Sequence, residues 1–142
     1  MNHFMSASEQ ISLFCRLNIN TKKELPIRSS EMGLLIYLVK TDNEKTPHAM
    51  AKFFKVTKAM VTNMITSLYK KGYISKEKDE KDKRSIHIVP TQKAIELVEK
   101  TYHEYYKNLS IMYEIMGKED FENLIRLIEK ANNILLEGKE NG

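Results

Sequence analysis

The sequence predicts a mainly α fold with a small β-wing: a helix-turn-helix and a two-stranded hairpin, with further helices on both flanks. Three observations predict it. Apolar residues recur at helical spacing along most of the chain. Two short alternating segments bracket a charged tip at 79–83, and a heptad pattern sets in at Ile95.

The elements follow in order. Ile11, Leu13, Phe14 and Leu17 mark a first helix over about 6–18, and the polar stretch from Asn18 to Arg28, with Pro26, reads as a loop. Ser29 or Ser30 then caps a second helix whose buried side is Met32, Leu35, Ile36 and Val39. Thr41 to Lys45 is a turn rich in Asp and Asn, and Thr46-Pro47 is a cap followed by proline at the first helical position. That third helix, roughly 47–54, ends near Lys55-Val56.

Thr57 caps the next helix, with Val61, Met64, Ile65 and Leu68 as its inward stripe. Lys58, Ala59, Thr62, Asn63, Thr66 and Lys70 fall on the opposite side, and two helices joined by so short a turn make a helix-turn-helix. Gly72 after Lys70-Lys71 matches a cationic last turn with a glycine C-cap. Tyr73-Ile74 and Ile86-His87-Ile88 alternate as strands do, with Asp79–Lys83 between them.

From Ile95 the pattern Ile95, Val98, Tyr102, Tyr105, Leu109, Met112, Met116 keeps steps of three and four. One helix over 92–116 would be about 37 Å long, more than so small a domain covers. After Gly117 the stripe resumes with Phe121, Leu124, Ile128, Ala131 and Leu135, behind an acidic first turn of Glu119, Asp120 and Glu122. With the first helix, these faces expose too much apolar surface for a monomer, so a homodimer is expected, built on helices at about 6–18 and 92–137.

Bulk properties narrow the function. The 142 residues suit a single domain over 1–142 with its helix-turn-helix and wing at about 30–91. No apolar run spans a bilayer and the start MNHFMSASEQ lacks a signal-peptide pattern, so a cytoplasmic location without membrane contact is expected. One cysteine excludes an internal disulfide and a four-cysteine zinc site. Scattered glycines form no phosphate loop, His3, His48, His87 and His103 form no metal-ligand pair, and no nucleophile stands beside a base in a known motif. No enzyme activity, cofactor or metal is expected. Residues 46–94 hold 11 Lys/Arg against four Asp/Glu, a balance of +7, whereas the rest of the chain is −3. Positive charge concentrated on a helix and a hairpin points to double-stranded DNA, whose phosphates it attracts.

At this point the chain resembles the MarR family of winged-helix transcription regulators. The resemblance rests on Lys70-Lys71-Gly72-Tyr73-Ile74, on Asp82-Lys83-Arg84 as the family's Asp-x-Arg wing element, and on Pro90-Thr91-Gln92-Lys93-Ala94. Pro90 stands where the family usually has leucine and Ala94 where it has glycine; Thr91 keeps the cap. The resemblance implies that Arg84 enters the minor groove, that Asp82 holds the wing, and that Lys81 and Lys83 flank the contact. Candidate major-groove readers are Thr57, Lys58, Ala59, Met60, Thr62, Asn63 and Thr66. Asn63 can pair bidentately with adenine, while Ala59 or Thr62 suits a thymine methyl. The family often has arginine at the Asn63 position, so the base preferred there differs. Lys52, Lys55 and Lys70 suit phosphates.

The resemblance also implies a small aromatic or phenolic effector between the flanking helices and the wing domain. Phe14, Cys15, Leu17, Met32, Ile36, Tyr37 and Tyr102 are the candidate pocket, although at helical spacing they also read as plain core. Some relatives sense peroxide through a first-helix cysteine; here oxidised Cys15 would end as a sulfenic acid or a mixed disulfide. His103 with Glu99 and Glu104 is too thin for a metal sensor. The expected protein is a homodimeric repressor of a pseudo-palindromic duplex, released by its effector. The alternatives are a thiol sensor of the same fold and a dimeric protein-interaction scaffold that ignores DNA.

Overall fold

The computed structural model describes residues 3–20, 25–81 and 85–141, with side chains of 19, 20 and 139–141 left aside. The elements are α1 (His3–Asn20), α2 (Ser29–Lys40), α3 (Pro47–Phe54), α4 (Lys58–Lys70), β1 (Ile74–Lys78), β2 (Ile86–Pro90), α5 (Gln92–Tyr105), α6 (Lys107–Met116) and α7 (Lys118–Asn141). The mainly helical fold with one small antiparallel wing is the fold class expected from the sequence. Two compact units divide the chain, residues 1–104 and 105–142.

In the first unit α2 is central. Met32, Leu34, Leu35, Ile36, Tyr37 and Leu38 are all buried, so the helix is apolar nearly all round, as a surrounded helix must be. Val39, expected on the buried side, is only half-buried. The helix also begins one residue earlier than a serine cap would place it: Arg28 is the N-cap. Glu31 supports that start from the third helical position, where its carboxylate accepts the Arg28 N–H at 2.9 Å.

Thr46 and Thr57 act as the sequence requires. Thr46 Oγ1 accepts the Ala49 N–H and Thr57 Oγ1 the Met60 N–H, each at 3.1 Å. Lys55 closes α3 in the left-handed region at φ 55°, giving the tight corner into α4. Val61, Ile65 and Leu68 bury the inner side of α4 and Met64 is half-buried at its edge. Fully burying such side chains contributes about 1.5–3 kcal/mol each.

The wing pairs Ile74 with Pro90, Lys76 with Ile88 and Lys78 with Ile86. Ile74 and Ile88 are buried, which sets the face the sheet turns inward. On the other edge of β2 the Ile88 N–H donates to the Lys45 carbonyl at 2.8 Å, tying the turn before α3 to the wing. Pro90 ends this strand, where its missing N–H breaks no ladder. Thr91 then accepts the Ala94 N–H at 3.4 Å as the expected cap of α5, where Ala94 and Val98 are buried.

One expectation fails. The helix read as continuous over 92–116 is two helices, α5 ending at Tyr105 and α6 starting at Lys107. Tyr106 leaves helical geometry at φ −101°, ψ 9°. Heptad spacing records which residues share a face; it does not resist a local break where adjacent tyrosines offer poor helix propensity. The Tyr105 and Tyr106 rings instead pack edge to face at 5.0 Å.

In the second unit α6 and α7 pair across Gly117, which ends α6 at φ 93° with its N–H on the Tyr113 carbonyl. Tyr113 and Phe121 stack edge to face at 5.4 Å across that corner. Neither helix has a buried residue among the described ones, and Ile115 is 81% exposed.

Candidate nucleic-acid interface

Helical spacing turns the inner residues of α4 into the core and its polar residues outward. Thr57, Lys58, Ala59, Met60, Thr62, Asn63 and Thr66 are all exposed, as is Lys70 in the last turn. Thr57 carries a structural duty as well, since its hydroxyl caps the helix. Lys52, in the last turn of α3, and Lys55 at its left-handed cap are exposed too. The sequence-derived reader and phosphate set is thus brought onto the α3–α4 surface.

The far end of α4 is held by contacts that sequence reading did not anticipate. The Lys93 ammonium donates to the Lys71 carbonyl at 2.7 Å and lies 4.5 Å from the Tyr73 ring centroid. The Thr91 hydroxyl donates to the Gly72 carbonyl at 2.8 Å. Gly72 itself turns the chain at φ 83°, a conformation that glycine adopts without strain. From the other side, the Lys71 ammonium reaches Glu31 Oε1 at 3.3 Å. The start of α2, the end of α4 and the start of α5 therefore meet at one corner.

Glu31 is the buried charge of that corner, with none of its surface exposed. Burial pushes its carboxyl pKa up. The Ser67 hydroxyl, the Arg28 N–H and the Lys71 ammonium outweigh burial and hold it below the usual carboxylate value. Oε2 has no partner of hydrogen-bond geometry among the described residues, so Ser67 stands near enough to favour the charge without closing a bond. The sequence signal for this role was the Glu three residues after Arg28, in capping-box position.

Between α4 and the wing lies an open cleft of about 520 Å³, lined in part by Lys58, Thr62, Ile65 and Thr66 of α4 and by Lys76, Ser85, Ile86 and Ile88 of the hairpin. Thr46, Pro47 and His48 close its α3 end beside Glu44. The outer residues of α4 are thereby sorted: Lys58, Thr62 and Thr66 face the wing side, whereas Ala59, Asn63 and Lys70 follow a stripe farther round the helix.

At the hairpin tip Asp82, Lys83 and Arg84 lie outside the described residues. Lys81 is exposed and its N–H donates to Asp79 Oδ1 at 2.9 Å. The Asp79 N–H donates to the Ser85 carbonyl at 3.1 Å, and its Oδ2 stands 3.4 Å from His87 Nε2. Among the described residues Asp79 is thus the carboxylate that ties the tip. An aspartate at a strand end is a familiar turn-former, and that was its legible signal.

The candidate effector residues differ in burial. Phe14, Cys15 and Leu17 are exposed on α1, and Met32, Ile36 and Tyr37 are core residues of α2. The Tyr37 hydroxyl donates to the Glu44 carbonyl at 2.7 Å; burial, then the Glu44 charge, raises its pKa. Tyr102 is half-buried, with the Lys40 ammonium 5.1 Å from its ring centroid. Helical spacing could place these side chains on faces but could not say whether a gap opens between them. Among the described residues no three His, Cys, Asp or Glu side chains are grouped to hold a metal, and no helix is long and apolar enough to cross a membrane.

Comparison with known proteins agrees with this geometry. The MarR family model matches residues 30–86. The helix-turn-helix transcriptional regulator YkoM of Bacillus subtilis is 26% identical over 114 residues, covering 80% of this chain and 73% of YkoM. The B. subtilis transcriptional repressor YetL is 24% identical over 95 residues, 67% of this chain and 57% of YetL. In fold the chain is similar to the S. aureus MepR–DNA complex, with a TM-score of 0.76 and 20% identity over 89% of this chain and 96% of MepR. Both B. subtilis relatives are thus transcriptional regulators. Over residues 30–86, from α2 into β2, the chain is thus similar to the MarR family, and its helix-turn-helix and hairpin lie in that stretch.

Proposed function

We propose that the protein is a cytoplasmic homodimeric repressor that binds a pseudo-palindromic DNA duplex and leaves it on binding a small aromatic or phenolic effector. The whole chain, 1–142, works as one MarR-like protein in this reading. The α4 helix enters the major groove and the 79–84 tip enters the minor groove, with Arg84 as its deepest contact and Asp82 holding it. Thr57, Lys58, Ala59, Met60, Thr62, Asn63 and Thr66 read bases or position α4, while Lys52, Lys55 and Lys70 meet phosphates.

The observation that carries this reading is the outward face of α4, polar, cationic and exposed, on a helix anchored by Val61, Ile65 and Leu68. A helix kept only for stability would have no reason to pair that face with a hairpin bearing five Lys and Arg residues. The MepR–DNA complex and the repressor YetL lend support by likeness of fold and sequence. Titration of random duplex DNA at rising salt tests the proposal. Affinity should fall steeply, because each neutralised phosphate contributes about −0.9 to the log–log slope. A flat response near zero affinity would instead favour the protein-interaction scaffold. Arg84→Ala should weaken operator binding by a large factor.

A thiol-sensing version of the same protein is favoured by one observation: Cys15 is exposed on α1, where an oxidant can reach it. Organic peroxide should then release DNA from the wild type and spare the Cys15→Ser complex. Equal release from both would leave the small-molecule reading alone in the field.

A further inference from the structure

Adjacent grooves of a duplex are separated by a sugar–phosphate strand. A protein that puts α4 in one groove and the neighbouring hairpin in the next must let that strand pass between them. The space between them here is the cleft of about 520 Å³. Its chemistry suits such an occupant. The floor is apolar, with Ile65 and Ile88 buried and Ile86 left 41% exposed, a surface for deoxyribose carbons. Against one acidic side chain, Glu44, the walls set two lysines, Lys58 from α4 and Lys76 from β1, and the hydroxyls of Thr62 and Thr66.

Lys76 is the member that no motif pointed to. It shares the sheet face of Ile74 and Ile88, because residues two apart on a strand point the same way, and so stands on the cleft side of the wing. Its ammonium lies 5.0 Å from the ring centroid of Tyr69, which is 53% exposed near the end of α4. Among the described residues no carboxylate pairs with it. The difference matters. A salt bridge would neutralise the lysine, whereas an aromatic face orders the side chain and leaves its charge for another anion.

We propose that the cleft between α4 and the wing seats one sugar–phosphate strand of the duplex, with Lys76, propped on Tyr69, as its wing-side phosphate contact. This rests on the DNA-binding reading above. It adds a contact that binds every sequence alike, and it assigns Tyr69 a positioning role.

The test is the salt dependence of duplex binding by the full-length chain, followed by fluorescence anisotropy on random-sequence and operator DNA. Lys76→Gln removes one contact from each protomer of the bound dimer and should make the log–log slope shallower by about 1.8, which is about twelvefold less loss of affinity between about 50 and 200 mM salt. The weakening should be equal on both duplexes, and Lys76→Arg should restore the slope. Tyr69→Leu should keep the wild-type slope and weaken binding about two- to fivefold, since it removes order and no charge. Thermal melts of each variant establish that the fold is intact; Lys76 is exposed, so they should match the wild type. A wild-type slope for Lys76→Gln, in a protein that otherwise binds DNA steeply with salt, overturns the seat and spares the DNA reading. A loss confined to the operator would also overturn it, because a phosphate contact carries no sequence preference. Failure of the wild type to bind any duplex would overturn both.

Discussion

Asn63 is exposed on α4 between the buried Val61 and Ile65, and its amide offers a donor and an acceptor at the spacing of an adenine edge. Asn63→Ala should therefore relax base preference, costing about 1–3 kcal/mol on the cognate operator and little on random duplex. Competition between the two duplexes measures the difference, and equal loss on both would end its role as a reader. Glu31 has the opposite environment, fully buried with a lowered carboxyl pKa. A depressed folded-state pKa means that its stabilisation is present above the ordinary value of 4.5 and is lost as pH falls below that through the folded value. Urea melts from neutral pH downward should show wild-type stability falling in that acid range, and Glu31→Gln should flatten that part of the fall. At neutral pH the same variant should be less stable by about 1–3 kcal/mol, because Lys71 loses its charged partner. Asn63 could be found from the sequence as a polar residue opposite an apolar stripe. Glu31 could be read only as a capping residue, since its second partner, Lys71, is 40 positions away.

At the scale of elements, α4 is held at both ends by different means. Its start is local, the Thr57 cap, and was legible as such. Its end depends on Gly72, Thr91 and Lys93, brought together by the return of the hairpin. Gly72→Ala should cost about 1–2 kcal/mol from the left-handed conformation alone, since the nearest atoms to an added Cβ are on Lys93 at 3.9 Å, ordinary contact. Leu68→Ala, in the fully buried stripe, should cost more, about 2–5 kcal/mol. Thermal or urea unfolding ranks the two; an equal cost would mean that the corner, rather than the core, holds α4. The break at Tyr106 belongs to this scale as well. Steps of three and four predicted one long helix, and adjacent tyrosines ended it.

For the molecule as a whole, the exposed apolar residues of α1, α6 and α7 argue for a second copy. Ile11 is 64% exposed, Ile115 81% and Leu135 68%, more apolar surface than isolated residues account for. Sedimentation should give a dimer for the wild type. Leu135→Glu should shift it toward monomer and weaken operator binding, while random-duplex binding per protomer changes little. A wild type that sediments as a monomer at micromolar concentration would remove the basis for a palindromic site.

The sequence by itself determined the helix starts, the buried stripes, the hairpin and the outward cationic face of α4. These are set by residues a few positions apart, through capping, periodicity and turn chemistry, and local energies suffice to decide them. Tertiary structure alone decided which groups of different elements meet: Glu31 with Lys71, Lys93 with the end of α4, and Lys76 with Tyr69. It also decided burial, leaving Phe14, Cys15 and Leu17 exposed on α1 and placing Met32, Ile36 and Tyr37 in the core. Such meetings depend on how faces pack over tens of residues, and a periodic pattern names a face without naming what lies against it.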